Sequence, residues 1–356
     1  IIPLVMTVVL SFQTTQYYRL SWTWDLKIWT EVFSKPHYWT IMARTVGMAL
    51  VCVVVCVLIA FPAAYALATR LKTYNAQIQI LIIFAFLTDA VLKTFGWILV
   101  LDKSGVANWL LAHLGLGPEA LNLLFTPTGT MIGMVYGLVV YPMFTIYLSL
   151  VRIDRDLLLA AYDSGASRLR AFYEITLPLS RPGLFCGAVL VFVLSLGAFL
   201  EPKVLGGGTA PLASELIRQS FETRVNWPLG AALTDHYRRI VAGTQRRGFA
   251  AAACPRREDS TMISERLKNT LVDIFLVGTV VLLIVFFYVP IVTLVAFSFT
   301  GSRVLTFPIE GFSLQWYGEL FRKPDFLPAV ANSAIVATIS TIFATILGSA
   351  GAVAWI

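Results

Sequence analysis

Runs of about twenty apolar residues recur along this chain, and that is the length a helix needs to cross a bilayer's hydrocarbon core. Thr45–Ala68, Gly129–Val151, Gly183–Leu200 and Leu271–Phe299 are the clear examples, and Ser333–Ile356 is a further one. Ala76–Leu101 is equally apolar but carries Asp89 and Lys93, which predicts a helix bent or broken around a polar middle. Ile1–Phe12 is too short to span and has no basic flank, so it reads as the end of a longer span. Of the 356 residues 58% are hydrophobic and 13% charged, about half the charge of a typical soluble protein, which excludes a water-soluble enzyme. The expected fold is an all-α polytopic transmembrane helical bundle.

The formal charge of +7 is concentrated rather than spread. Between residues 236 and 268 lie eight Lys or Arg against Glu258, Asp259 and Glu265, so this stretch carries +5 and the remainder only +2. A lipid-facing surface tolerates that distribution, and nothing in it indicates a nucleic-acid partner. Basic residues also set orientation. Segments 69–77 and 152–182 hold seven Lys or Arg in 40 residues, whereas 13–44, 102–128 and 202–228 hold eight in 86, which predicts that the 152–182 loop is cytoplasmic. Trp22, Trp24, Trp29 and Trp39 with Tyr17, Tyr18 and Tyr38 crowd the outer segment and read as an interfacial aromatic belt.

The chain contains a parallel internal repeat. An offset of 287 pairs Pro3 with Pro290, Val5 with Val292, Ser11 with Ser298, Phe12 with Phe299 and Trp29 with Trp316. After one inserted residue, Phe33 pairs with Phe321, Lys35 with Lys323, Pro36 with Pro324, Ala43 with Ala331 and Ala64 with Ala352. The expected organisation is a permease-like module over 1–233, a basic irregular junction over 234–261, and the opening part of a second, truncated module over 262–356. The junction shows neither helical nor strand periodicity. Parallel copies must enter the membrane from the same side, yet no apolar run of spanning length lies between Trp227 and Arg266, so the junction reads as an out-of-frame scar, or as a long linker.

The most informative segment is residues 157–184. Asp154 or Asp156 can cap a short helix continuing through Ser164, Gly165 is placed to end it in a left-handed turn, and a second helix from Ser167 is expected to stop at Pro178. The product would be a helical elbow on the inner side of the membrane. In this elbow Ala160, Ala161, Gly165, Ile175, Leu177 and Pro178 follow the spacing E-A-A-x(3)-G-x(9)-I-x-L-P, and the segment resembles the inner loop of permease subunits of binding-protein-dependent ABC importers. Leu159 stands where that pattern has its glutamate. Lys93 and Trp97, then 123–127, 133–142 and 199–207, are similar to the spermidine/putrescine branch, and the second copy is similar to the start of a partner permease.

The resemblance implies that the elbow docks on a separate ATPase subunit, with Leu159, Ala160, Ala161, Asp163, Gly165, Ala166, Phe172, Ile175, Leu177 and Pro178 forming the coupling loop. It implies a second permease subunit and a periplasmic substrate-binding protein as partners, a multi-pass location in the bacterial inner membrane, and no enzymatic activity. No G-x-x-x-x-G-K-[ST] occurs, so ATP, the only cofactor implied, is bound by another chain. A polycation needs carboxylates and aromatic faces along its path. Asp89, Lys93, Trp97 and Glu201 are the pathway candidates; Asp89 and Lys93, one turn apart, could equally form a plain salt bridge. His37, His113 and His236 are isolated and the four cysteines form no CxxC pair, so no metal is expected. An ATP-independent transporter or channel, a membrane-embedded enzyme and a non-functional fusion of two permease pieces are the rival readings.

Overall fold

The structure, a computed structural model, describes residues 2–16, 19–115, 122–208, 211–251, 265–309 and 311–354. It forms two compact units, Ile1–Thr293 and Leu294–Ile356. The first opens with α1 (Ile2–Leu10), a two-stranded antiparallel hairpin (β1 Thr14–Gln16, β2 Arg19–Ser21) and α2 (Lys27–Ser34). Trp22 and Trp24 of the aromatic belt are exposed and Trp29 is buried, whereas Tyr17 and Tyr18 lie outside the described residues.

The central element is α3 (Pro36–Thr69), 34 residues long. At 1.5 Å per residue it measures about 51 Å, well beyond the ~30 Å hydrocarbon core. Sequence reading starts this span at Thr45 because Arg44 precedes it; in the fold Arg44 Nη2 donates to the Pro211 carbonyl at 2.9 Å, and the helix continues through it. The face Ala60, Ala63, Ala64 and Leu67 is buried at i, i+3, i+4, i+7 spacing. Cys52 and Cys56 are buried on the same helix with their sulfurs 3.9 Å apart, free thiols that fill space between helices.

Helices α4 (Asn75–Leu87) and α5 (Ala90–Leu101), followed by α6 (Val106–His113), form a broken pair bent by 91°. Helices α7 (Pro127–Leu138) and α8 (Val140–Val151) form a second bent pair at 40°, where Pro142 cannot donate to the Leu138 carbonyl. The elbow follows as α9 (Arg155–Asp163) and α10 (Arg168–Ala171), then α11 (Leu177–Leu196). Among the described residues four helices are long and apolar enough to cross a membrane, or six if each bent pair is one span.

Gly183 and Gly187, a G-x-x-x-G pair on α11, face α8. A Cβ at Gly187 would stand 2.5 Å from Thr145 Oγ1 and 2.6 Å from Pro142 Cα, so the two backbones pack at a separation only glycine permits.

Beyond α11 lie α12 (Leu200–Val204), α13 (Ala213–Glu222) and α14 (Trp227–Ala251). The last corrects the sequence reading of an aperiodic junction from residue 234. Leu229, Ala232, Leu233, His236, Tyr237 and Ile240 form one helical face packed on α13 and α2. The face begins upstream of residue 234, and the exposed Arg238 and Arg239 obscure it; both pair with buried Asp235, at 2.6 and 2.9 Å. His236 sits between the ring edges of Phe33 and Trp39, at 4.9 and 4.7 Å. Residues 252–261 lie outside the described residues.

Helix α13 lies outside the candidate spans and is held by buried Glu215. Arg218 Nε and Nη2 donate to its two carboxylate oxygens at 2.9 and 2.8 Å, and Gln219 Nε2 donates at 2.9 Å. Burial opposes ionisation, but these donors outweigh it and hold the carboxyl below its ordinary value of 4.5. The stabilisation is therefore complete above that value and is lost as pH falls through the lower folded-state pKa. Amide exchange in 213–222 is expected to accelerate on acidification below about pH 4.5, and Glu215→Gln should remove that pH dependence. Equal acceleration in both proteins would show that Glu215 does not anchor α13.

Helix α15 (Glu265–Phe297) connects the units, and its first part belongs to the first. Leu276, Val280, Leu283 and Phe287 enter the main core, Arg70 Nη2 pairs with Asp273 Oδ1 at 2.8 Å, and Tyr288 Oη donates to the Leu81 carbonyl at 3.0 Å. A Cβ at Gly96 would lie 2.6 Å from the Pro290 carbonyl oxygen. The second unit carries α16 (Gln315–Arg322) and α17 (Phe326–Ala354). Helices α2 and α16 have eight residues each and start at Lys27 and Gln315, the offset that pairs Pro36 with Pro324. Helix α17 is apolar and exposed along its length.

Candidate functional site

The elbow is built by local rules. Asp154 caps α9, its Oδ1 accepting from the Asp156 amide at 3.1 Å. Gly165 then takes a left-handed φ of +84°; its amide bonds to the Tyr162 carbonyl and that of Ala166 to the Ala161 carbonyl, both at 2.9 Å. Ser167 caps α10, its Oγ accepting from the Arg170 amide at 3.3 Å.

The second arm differs from the expectation that Pro178 ends it. A π-helical turn, Phe172–Thr176, joins α10 to α11, and one continuous stretch runs from Arg168 to Leu196. Pro178 falls in the first turn of α11, where a missing N–H costs little, and the wider preceding turn absorbs the register change. The elbow is thus rigidly continuous with a spanning helix.

Phe172 anchors this arm, meeting the rings of Phe61 and Tyr65 on α3 edge-on at 5.8 and 5.5 Å. Ala161, Ala166, Ile175, Leu177 and Pro178 are half-buried, whereas Ala160, Asp163 and Gly165 are exposed. Leu157, Leu159, Tyr162, Leu169 and Tyr173 project from the two arms with exposures from 42% to 61%, an apolar surface on a polar connection.

A second cluster lies among α4, α5, α7 and α12. Asp89 does not pair with Lys93, contrary to the simple salt-bridge expectation. The chain breaks at Thr88, and Asp89 caps α5 by accepting from the amides of Val91 and Leu92 at 2.8 and 3.3 Å. Lys93 turns the other way and donates from Nζ to the Phe86 carbonyl at 2.8 Å, satisfying an acceptor that the end of α4 leaves orphaned. Its ammonium stands 5.2 Å from the Phe86 ring centroid and 6.0 Å from that of Tyr136.

Trp97 is buried one turn along α5, 5.6 Å from the Tyr136 ring and 5.2 Å from that of Phe286. Glu201 on α12 lies against Gly133 and Gly137 of α7; a Cβ at Gly133 would meet its Cγ at 3.2 Å. Helix α12, which carries Glu201, packs against both α5 and α7, and α5 carries Lys93 and Trp97. Of the four pathway candidates, Lys93, Trp97 and Glu201 therefore share one region, and Asp89 is exposed and committed to helix capping. Sequence reading missed Tyr136, whose Oη donates to the Phe287 carbonyl at 3.0 Å. The small pair Gly133 and Gly137 flanking it was the available signal.

Residues 45–301 match the model of the family described as binding-protein-dependent transport system inner membrane component. The chain belongs to this family. It is a multi-pass inner-membrane component of such a transport system, and its family is a class of transport permeases. It is 32% identical over 197 residues to the spermidine/putrescine transport system permease protein PotB of Escherichia coli K12, covering 55% of this chain and 72% of that one. The Haemophilus influenzae PotB is 27% identical over 237 residues, covering 66% and 82%. Among solved structures, a bacterial ABC transporter involved in the import of alginate aligns with a TM-score of 0.53 at 17% identity, covering 70% of this chain and 88% of that one. That likeness supports the shared helical fold.

Proposed function

We propose that the chain is the permease subunit of an ATP-driven importer of polyamines of the spermidine and putrescine type, and that the elbow couples it to a separate ATPase on the cytoplasmic side. The observation that carries this reading is the elbow itself. A left-handed glycine holds two short arms at a fixed angle, apolar side chains project from both, and the second arm continues into a spanning helix. Displacing such an arm moves the transmembrane helix with it, which is what a lever between a nucleotide cycle and a gate requires.

ATP is bound by the partner ATPase in this reading, because the chain has no phosphate-binding loop. A second permease subunit and an external binding protein complete the assembly. The polyamine assignment is supported by the PotB relatives and by a cluster suited to alkylammonium groups, with a carboxylate at Glu201 and ring faces at Phe86 and Tyr136.

The test is uptake of labelled spermidine into proteoliposomes carrying the chain with its partner permease, ATPase and binding protein. Uptake should require ATP and be competed by putrescine. Uptake that persists without the ATPase would assign the chain to the ATP-independent transporters, and ATP-dependent uptake of other solutes alone would overturn the polyamine assignment.

A further inference from the structure

The interior cluster contains an alkylammonium already bound. Lys93 supplies a primary ammonium on a flexible alkyl chain, chemically the end of a polyamine. Its surroundings are what a dedicated ammonium site needs: a carbonyl acceptor at 2.8 Å, two aromatic faces at 5.2 and 6.0 Å, and the Glu201 carboxyl on neighbouring α12, against the Gly133 and Gly137 that flank Tyr136. The carbonyl is available only because the chain breaks at Thr88, and the nearest carboxylate in sequence, Asp89, is turned away to cap α5. Lys93 is half-buried, not sealed in the core.

We propose that Lys93 is a resident occupant of a primary-ammonium site formed by the Phe86 carbonyl, the Phe86 and Tyr136 rings and Glu201, and that an alkylammonium substrate enters by displacing it. The inference rests on the polyamine reading above. Lys93 acts as a tethered competitor, so the site never stands as an unoccupied set of desolvated acceptors. Apparent substrate affinity is the intrinsic affinity multiplied by the fraction of time the tether is out. Specificity follows as well, because a solute lacking an ammonium group cannot replace the contacts that Lys93 gives up.

The full chain in lipid nanodiscs provides the test, with labelled putrescine as the binding probe. Lys93→Met keeps an unbranched side chain one atom shorter and removes the charge; if Lys93 holds the site nine-tenths of the time, putrescine binding should tighten about tenfold. Lys93 also covers the end of α4, so a second measurement uses the unaltered chain: acetylation of Lys93 by a water-soluble amine reagent, followed by mass spectrometry. Because putrescine's own amines consume the reagent, Lys93 acetylation is read relative to that of exposed Lys27 in the same sample, and saturating putrescine should raise this ratio severalfold as the Lys93 amine is expelled. Binding of putrescine with Lys93 protected or unchanged, or with Lys93→Met binding no tighter, would overturn the displacement mechanism while leaving the polyamine reading standing. Absence of putrescine binding to both proteins would overturn both.

Discussion

Replacing Gly187 with leucine is expected to unfold the bundle at a markedly lower temperature, because α8 and α11 cannot stay at their present separation. Even a single Cβ there meets Thr145 Oγ1 at 2.5 Å and Pro142 Cα at 2.6 Å, and the second of these is backbone that no rotamer change can move. A Cβ at Gly183, one turn earlier, would likewise run into the Ser149 hydroxyl and the Thr145 carbonyl, so the helices are equally close there and cannot relieve the clash by pivoting about that point. Overpacking of this kind costs about 3 kcal/mol or more. Gly278→Leu is the control, since nothing lies within 4 Å of a Cβ at that position. Thermal unfolding followed by size-exclusion fluorescence in detergent compares them. Equal melting of the two variants would show that α8 and α11 do not meet at Gly187.

The second large effect is on transport and leaves folding intact. Gly165→Val should abolish coupling, with spermidine uptake reduced at least about tenfold, while expression and melting temperature stay close to those of the parent. Nothing lies within 4 Å of a Cβ at Gly165, so the variant loses no packing; the effect comes from the φ of +84°, which costs an ordinary L-residue about 1–2 kcal/mol and a β-branched one more. That strain is relieved by opening the turn, which swings α9 and its exposed Leu157, Leu159 and Tyr162 relative to α10. Gly165→Asn should transport nearly normally, because asparagine tolerates the left-handed region. ATP-driven uptake in proteoliposomes with the ATPase reads both variants. A valine variant that transports as well as the asparagine variant would remove the elbow's shape from the mechanism.

Much of this site was legible as local chemistry. The Asp154 cap, the Gly165 turn and the Ser167 cap each depend on side chains within four residues of the backbone they serve, so residue type and spacing suffice to place them. The continuation of the second arm through Pro178 was not legible. A proline ends a helix when its surroundings leave the freed carbonyl unsatisfied, and whether a π-helical turn absorbs the mismatch depends on what packs around it, here Phe172 between Phe61 and Tyr65. Asp89 and Lys93 make the same point. One turn apart on a continuous helix they would pair, but the chain breaks beside them and each is drawn to a different orphaned helix end.

By itself the sequence determined the class of fold, the apolar centres of the spans but not their ends, the elbow and the family, because apolar run length, helix capping and a motif of fixed spacing are all properties of neighbouring residues. Only the tertiary structure decided which distant residues share a site. The gathering of Lys93, Tyr136 and Glu201 on the mutually packed α5, α7 and α12, the packing of α14 on α2 and α13, and that of α15 on Gly96 and Tyr136 all join residues far apart along the chain. The physical reason is that such contacts depend on how closely two helices approach and at what angle. Those quantities are set by steric fit summed over whole helix faces, and no local pattern of residue types encodes them.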